Sequence, residues 1–431
     1  MTARRPVAGR RRTIRAALLA VGLLCGVPVG GCSSSSSSGS APSLKDIATV
    51  LAAHGRAVLD HDRTAFLTGL GSGGNAAGFR GRQEDEFDNL ARLPLTAWSY
   101  AVESRTDDRE VEAAATKRYG AEAVIVRVSL NYALRGVDSS PTSHELWWTF
   151  VRRDGHVVAV ADDGLAQAGG ISWQGPWDFG PLEVVRSAHS LVLGHADTVA
   201  VLRTIAATVD SAVPAVAAVW GPAWPRTVAV VVPSSPDELT AQVGRSSQVS
   251  TTIAAAAVSD GQDALSGAAK GQRLIVNPAA FDQLSAVGRQ IVVRHEITHI
   301  ATAQATTGAT PRWLVEGFAD YVGNLTSGQS VRTTAAELGR EVRAGTLPGT
   351  LPTDAAFDTV GAAQTYEAAW LACRLLAQRA GQPALVRFYR LVGASPDNPD
   401  RAVADALRQV LHESTARFTA QWRTYLKTEL G

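Results

Sequence analysis

The sequence His295-Glu-Ile-Thr-His299 decides the fold expected for the larger part of this 431-residue chain. Histidines four residues apart lie on one face of an α-helix, about one turn from each other, so their imidazole nitrogens can bind one Zn²⁺. A glutamate beside the first histidine, here Glu296, can hold and deprotonate a water molecule on such a metal. The motif also occurs on ordinary helices with exposed ion pairs, so its neighbours decide between the two interpretations.

The residues around the motif predict two consecutive helices. Ser285 is suited to cap the first helix, apolar residues recur through the motif at helical spacing, and Gly308 is expected to end it. Thr310 and Pro311 are expected to open the second helix, as its N-cap and its first helical residue. The motif therefore stands on a helix that is followed closely by another.

Glu316 and Asp320 lie four residues apart on the second predicted helix and therefore share one face. A catalytic zinc site has three protein ligands and a position for water, whereas a structural site is closed by four. We predict that Glu316 is the third ligand beside His295 and His299, and that Asp320 accepts the second ring N–H of His295. A structural site would need a fourth protein ligand, and no residue at suitable spacing supplies one.

Sixteen residues separate His299 from Glu316, which lies in the segment Trp313-Leu-Val-Glu-Gly-Phe-Ala-Asp-Tyr321. The motif, this spacing and this segment together resemble the gluzincin metallopeptidases. The similarity is greatest to the bacterial peptidase MA-like families; it covers roughly residues 180–431 and is specific only over about 290–322. It implies zinc-dependent hydrolysis of a peptide or protein substrate, with Zn²⁺ as cofactor and Glu296 activating the zinc-bound water. It also implies that Tyr366, in Gln364-Thr-Tyr-Glu-Ala-Ala-Trp370, donates a hydrogen bond to the oxyanion. An ordinary core role for this tyrosine is an equal alternative.

The resemblance also implies the fold of residues 180–431, an α+β peptidase domain with a mixed sheet before the motif and a helical C-terminal part. In gluzincins an edge strand near the active helix pairs with an extended peptide. Ile253–Val258 and Arg273–Val276 both qualify as this strand, and the sequence does not choose between them. The alternative function is a catalytically inert gluzincin-fold binding or scaffold protein of the cell envelope, against which the complete ligand set argues.

Residues 44–178 predict a separate accessory α+β domain. Two helical patterns precede four strand patterns, at 44–70, 80–93, 97–103, 123–134, 145–152 and 157–161. Two helices followed by a curled antiparallel sheet resemble the nuclear transport factor 2-like cone fold. A cluster beside the first helix could line a cone pocket, although a solvated helix face is favoured, and it comprises His54, Asp60, His61 and Asp62. Two tryptophans in the linker at 169–180 are expected to pack the domains together.

The first 32 residues predict a lipoprotein signal peptide. Arginines precede the apolar stretch Ala16–Val29, which is short for a membrane span. Val29-Gly-Gly-Cys32 resembles a bacterial lipobox, which implies cleavage before Cys32 and a lipid on its thiol. An ordinary signal peptide cut nearby is the alternative. The serine-rich residues 33–43 would then tether the protein to the extracytoplasmic face of the cell membrane.

Composition limits the other classes of function. The formal net charge of +1 gives no sign of nucleic-acid binding. Cys25 lies in the predicted signal peptide and Cys32 is the predicted lipidation site, so Cys373 is the only cysteine left. A disulfide and a cysteine metal site are therefore excluded from the mature chain, and Cys373 is expected to be buried. The expected partners are a peptide or protein substrate and the membrane, whereas the oligomeric state is not predicted.

Overall fold

The structure is a computed structural model, and it describes residues 40–243, 253–259, 261–262, 269–359, 362–396 and 398–431. The predicted signal peptide, its Cys32 and the first part of the predicted tether lie outside these residues, and so does Gly244, near which the sequence predicts the end of a helix that begins at Pro236. The residues described from 40 onward belong to one compact unit. The predicted domain boundary near residue 179 stays a prediction.

The N-terminal part is an antiparallel sheet with helices packed against it. Its elements, in chain order, are α1 Leu44–Leu59, α2 Arg63–Thr68, α3 Ala77–Leu90, β1 Leu95–Arg105, α4 Arg109–Tyr119, β2 Ala123–Leu134, β3 Thr142–Arg153 and β4 His156–Ala161. Each strand pairs with the next one along the chain, and α1 packs against β1. The predicted helix-then-sheet order is present, while the resemblance to the nuclear transport factor 2-like fold stays a prediction.

Two expectations for this part are wrong, and one helix was not predicted. A continuous helix over 44–70 is wrong, because His61 has a φ of 54° and separates α1 from α2. The solvated face is wrong for His54, which is buried, although its neighbours Asp60, His61 and Asp62 are exposed. Apolar periodicity missed the mostly charged α4. Its capping residues were the available signal, since Asp108 accepts hydrogen bonds at the N-terminus and Gly120 is left-handed at the end.

The second sheet lies in the middle of the chain. Its region comprises β5 Leu182–Arg186, β6 Ser190–His195, α5 Val199–Trp220, β7 Val228–Val231, α6 Pro236–Val243, β8 Ala255–Val258, β9 Gly261–Gln262, β10 Ala269–Lys270 and β11 Arg273–Val276. Five strands form a mixed sheet in the order β5-β6-β7-β11-β8, while β9 and β10 pair separately. The three inner strands are parallel and the two outer ones antiparallel. β11 is therefore internal, and β8 is an edge strand.

Both faces of this sheet are buried, because successive side chains of a strand point to opposite sides. Val230 and Leu274 join a core formed with α5 and the C-terminal helices. Val231 and Ile275 face the other way and join a core that contains Trp177, from the predicted linker, and the N-terminal sheet. The helix α5 is apolar enough in composition to span a membrane, but nine of its residues are buried in the protein. It is the central helix of the first core.

The C-terminal third is helical, as predicted. Its helices are α7 Pro278–Asp282, α8 Ala286–Thr302, α9 Arg312–Asn324, α10 Val331–Thr334, α11 Ala336–Arg343, α12 Ala363–Ala380, α13 Gln382–Gly393, α14 Pro399–Leu411 and α15 Thr415–Leu430. The sequence pattern indicates one helix over 332–344, whereas the structure divides this region into α10 and α11, and it adds α7, which the sequence pattern does not indicate. Cys373 is buried on α12, as expected. The helix α9 packs against both α8 and α12.

Candidate metal centre

The two helices that carry the motif residues begin and end close to the predicted positions. The hydroxyl of Ser285 caps α8 by accepting a hydrogen bond from Gly288 N at 3.1 Å. The helix ends before Gly308. The start of α9 differs by one residue, since Pro311 is the N-cap and helical geometry begins at Arg312. Proline has no N–H to donate, and its fixed φ suits this junction.

Two glycines let α9 approach its neighbours. A Cβ atom on Gly323 would lie 2.9 Å from the carbonyl oxygen of Ile291 on α8. A Cβ atom on Gly317 would lie 2.4 Å from the carbonyl oxygen of Ala369 on α12. Both distances are shorter than real Cβ contacts, so a larger residue would push the helices apart. Because these glycines have no side chains, α9 can lie close to both neighbouring helices. Its acidic face thus meets the histidine face of α8.

Three ligand atoms converge between α8 and α9. His295 Nε2 lies 3.0 Å from His299 Nε2, and Glu316 Oε2 lies 3.4 Å and 3.5 Å from those two nitrogens. Tetrahedral ligands of one Zn²⁺ at about 2.0–2.1 Å would lie roughly 3.3 Å from each other. The spacing therefore suits a single ion. Among the described residues, no other group of three or more His, Cys, Asp or Glu side chains converges in this way.

Asp320 orients one of these histidines. Its Oδ1 lies 2.7 Å from His295 Nδ1. With the Nδ1 hydrogen donated to Asp320, the lone pair of His295 Nε2 points to the place where the ligand atoms converge. The sequence predicted this partner from the shared helix face of Glu316 and Asp320.

The charges around the ligand atoms are strongly coupled. Burial opposes a charged His295, but Asp320, Glu316 and Glu296 outweigh it and raise the pKa of His295 well above its usual value. Burial also opposes a charged Glu316, and hydrogen bonds from His295 and His299 nevertheless lower the pKa of Glu316. The surroundings therefore favour a carboxylate at Glu316 and positive charge between the helices, which is the environment that a bound cation needs.

Glu296 lies on the same helix and contacts the second sheet. Its Oε2 accepts a hydrogen bond of 2.7 Å from the backbone N–H of Ala257 on β8. Because this N–H donates to Glu296, it belongs to the free edge of β8 and not to the pairing with β11. The carboxylate expected to act as base is thus held directly beside an open sheet edge.

Tyr366 lies in the first turn of α12, and its ring packs against Phe357 at a centroid distance of 5.0 Å. Burial together with the charge of Glu316 raises the pKa of Tyr366, and the nearby guanidinium of Arg312 opposes this rise. Arg312 donates to Asp358 Oδ1 at 2.6 Å, and its Nε lies 3.9 Å from Glu316 Oε1. Arg312 thus lies near both Tyr366 and the third ligand.

The structure therefore brings together most of the predicted site residues. His295, His299, Glu316 and Asp320 form one cluster, the charge of Glu296 acts on His295, and Tyr366 lies near Glu316 and Arg312. The sequence favours a solvated or carboxylate-paired role for Arg312, and Arg312 does pair with Asp358. The signal for its contact with the cluster was its position four residues before Glu316, on the same helix face.

No protein-family model matches this chain, and no curated protein matches it. Among solved structures, the chain is similar to an M1 zinc metallopeptidase from Deinococcus radiodurans, with 14% identity and a TM-score of 0.35 over 78% of this chain and 62% of that chain. It is also similar to native yeast LTA4 hydrolase, with 9% identity and a TM-score of 0.37 over 72% of this chain and 66% of that chain. The chain thus spans less than two thirds of each structure's own length. Because the identities and TM-scores are low, support for a function comes from the residues of the site.

Proposed function

We propose that this chain is a zinc metallopeptidase that hydrolyses peptide bonds. The observation that carries the proposal is the convergence of His295 Nε2, His299 Nε2 and Glu316 Oε2 next to the carboxylate of Glu296. These three residues would hold Zn²⁺, and Asp320 would keep His295 in the tautomer that binds it. When bound, Zn²⁺ supplies Lewis acidity at this position.

Glu296 is the proton carrier in this proposal. Its carboxylate takes a proton from the attacking water and later delivers it to the leaving amine. The hydrogen bond from Ala257 N–H fixes one oxygen of Glu296 and leaves the other free to accept the proton. The charge of Glu296 acts on His295, which supports a base close to the ligand atoms.

The substrate is proposed to bind as an extended segment along β8. The sequence left two strands as candidates, and the sheet order favours β8, because β11 is flanked by strands on both sides. An added strand would pair with the outward-facing backbone groups of this edge, which are the N–H and C=O of Ala255 and the C=O of Ala257, because the N–H of Ala257 already donates to Glu296. Since Glu296 contacts this edge through Ala257, the scissile bond would lie beside the base.

Tyr366 is the proposed donor to the oxyanion. Its hydroxyl lies near the charges of Glu316, Arg312 and His295. A neutral Tyr366 O–H can donate from this position, and a positioned donor lowers the energy of a developing oxyanion.

The decisive experiment measures zinc and cleavage on the full chain. Wild type and Glu296→Gln are assayed for zinc per chain and for cleavage of a broad peptide library. The matched control is Glu110→Gln, an exposed carboxylate on α4. We expect about one zinc per chain in all three proteins. We also expect kcat/KM in Glu296→Gln to be at least about 10²-fold lower, with the control unchanged.

Two results would reject the catalytic proposal. One is the lack of bound zinc at neutral pH, and the other is a Glu296→Gln variant that cleaves as fast as wild type. Zinc binding without cleavage of any peptide by wild type would instead favour the inert binding or scaffold protein.

The proposed location is the extracytoplasmic face of the cell membrane, with lipid on Cys32. Its support is the arginine-rich, apolar and glycine-glycine-cysteine sequence that ends at this residue. Cys32→Ser should move the protein from the membrane fraction to the soluble fraction and abolish incorporation of labelled fatty acid. Cys25→Ser serves as the control and should change neither. A Cys32→Ser protein that still carries lipid contradicts the proposal.

A further inference from the structure

A cavity of about 490 Å³ lies in the N-terminal part of the protein. Its lining residues come from α3, β2, β3 and the segment 162–178, and none of them belongs to the metal centre. An inference about this cavity is therefore independent of peptidase activity.

Aromatic rings form one part of its lining. Trp148 and Trp177 are almost fully buried, and Trp173 is half-buried. The rings of Trp173 and Trp177 have centroids 5.5 Å apart and lie at 68° to each other. Leu130 and Leu146 add apolar surface. The faces of indole rings carry partial negative charge, so this wall attracts cations as well as apolar groups.

Carboxyl groups dominate the polar lining. Five acidic side chains face only one basic side chain, Arg82, which is already paired with Asp162. Glu86 is 6% exposed and accepts a hydrogen bond from Gln83 Nε2, while Asp178 accepts one from Gly175 N at 2.7 Å. Within the part of the chain that the structure describes, neither Glu86 nor Asp178 has a cationic partner.

A buried carboxyl group without a counter-charge is costly, so it takes up a proton or binds a cation. Burial, followed by the charge of Asp178, raises the pKa of Glu86 well above its usual value. Loss of solvent around its carboxyl group and the charge of Asp162 raise the pKa of Asp178 to about 7, although the charge of Arg82 opposes this rise. Asp178 as a residue is exposed, so a ligand can reach it at the cavity.

Gln83 leaves a further polar atom at this wall. Gln83 is 4% exposed, and its Oε1 accepts no hydrogen bond from any described residue. The amide lies close enough to His54 to oppose the effect of burial, which lowers the pKa of that histidine. Gln83 Oε1 is therefore a buried acceptor in the wall of the cavity.

We propose that this cavity binds a small organic cation, an alkylammonium or quaternary ammonium group, between the tryptophan rings and the carboxylates of Glu86 and Asp178. Aromatic faces together with acidic groups are the surroundings that recognise such cations. A Ca²⁺ ion would be surrounded by oxygen ligands and would gain nothing from the three indole rings. The ammonium group can belong to a free amine or to a lysine side chain of a peptide.

The test is a calorimetric titration of the full chain with four probes. Choline and Nα-acetyl-lysine amide represent the free and the peptide-borne ammonium group. The neutral isostere of choline, 3,3-dimethylbutanol, controls for shape, and Ca²⁺ tests the metal alternative. Glu86→Gln and Asp178→Asn remove one charge each with little change in shape, and Glu110→Gln is the matched control on an exposed helix face. Quenching of tryptophan fluorescence reports binding at the indole wall.

We expect at least one ammonium probe to bind with fluorescence quenching and at least about tenfold more tightly than 3,3-dimethylbutanol. Glu86→Gln and Asp178→Asn should each weaken that binding by about tenfold or more, and Glu110→Gln should leave it unchanged. If Glu86→Gln does not fold, Asp178→Asn decides the outcome. Equal binding of the neutral isostere, no binding of either ammonium probe, or binding of Ca²⁺ alone would overturn the proposal.

Discussion

Asp320 Oδ1 lies 2.7 Å from Nδ1 of His295, across the contact between α8 and α9. This bond determines which nitrogen of His295 carries the hydrogen and which way the ring faces. It also joins the two helices that carry the proposed ligands. The histidines lie on α8, and Glu316 lies on α9, one turn before Asp320. The orientation of a ligand on one helix thus depends on a residue of the other.

Asp320→Ala should weaken zinc binding by about 10–100-fold, because His295 loses the acceptor that fixes its tautomer. Zinc affinity can be measured by competition with a chromogenic chelator. Asp320→Asn keeps an acceptor oxygen without the charge, and its affinity should lie between those of Asp320→Ala and wild type. Equal zinc affinity in wild type and Asp320→Ala would remove the orienting role.

Tyr366→Phe should lower kcat by about 10²–10³-fold and leave zinc content unchanged, because only the oxyanion donor is lost. Steady-state kinetics on a cleaved peptide measures the effect. Tyr321→Phe removes the hydroxyl of a buried tyrosine on α9 and is the control. If Tyr366 serves only as packing, kcat will be the same in both variants and in wild type.

Gly317→Ala should destabilise the protein and weaken zinc binding together. The new Cβ atom would lie 2.4 Å from the Ala369 carbonyl oxygen, so α9 must shift and carry Glu316 with it. Overpacking of this kind costs about 1–3 kcal/mol. Gly308→Ala is the control, since nothing lies within 4 Å of its Cβ position. Thermal unfolding and zinc titration should separate the two variants, and similar values for both would contradict the close packing of α9.

The buried carboxyl group of Glu86 should make stability depend on pH. Burial raises the pKa of Glu86 well above its usual value in the folded protein. The folded state therefore holds more protons than the unfolded state. The corresponding stability is present below about pH 4 and is lost as the pH rises through the raised pKa of the folded state.

Thermal unfolding between pH 5 and pH 8, at fixed zinc concentration, measures this dependence. The melting temperature of wild type should fall with rising pH more steeply than that of Glu86→Gln, which has no proton to lose at this position. A loss of 1 kcal/mol lowers Tm by about 2–4 °C in a domain of about 150–250 residues. Parallel pH profiles for the two proteins would show that Glu86 is not the group responsible.

Some elements could be predicted to the residue. The bounds of β2 and β11 agree with the predicted strands Ala123–Leu134 and Arg273–Val276, because buried strand positions leave a mostly apolar sequence, which alternates with Arg127, Ser129 and Asn131 in β2. The charged helix α4 left no such pattern, and the break at His61 depends on a single left-handed residue. Periodicity detects burial, so elements that bury little were missed or merged.

The local sequence determined which side chains of the metal centre lie on the same helix face. The spacing of His295 and His299, and of Glu316 and Asp320, places each pair on one helix face, because the helical repeat is a property of neighbouring residues. The tertiary structure decided how those faces meet. Gly317 sets the separation between α9 and α12, the sheet order makes β8 the free edge beside Glu296, and Trp173 and Glu86 come to line one cavity. These relations join residues distant in the chain, and only packing of the whole fold determines which of them come into contact.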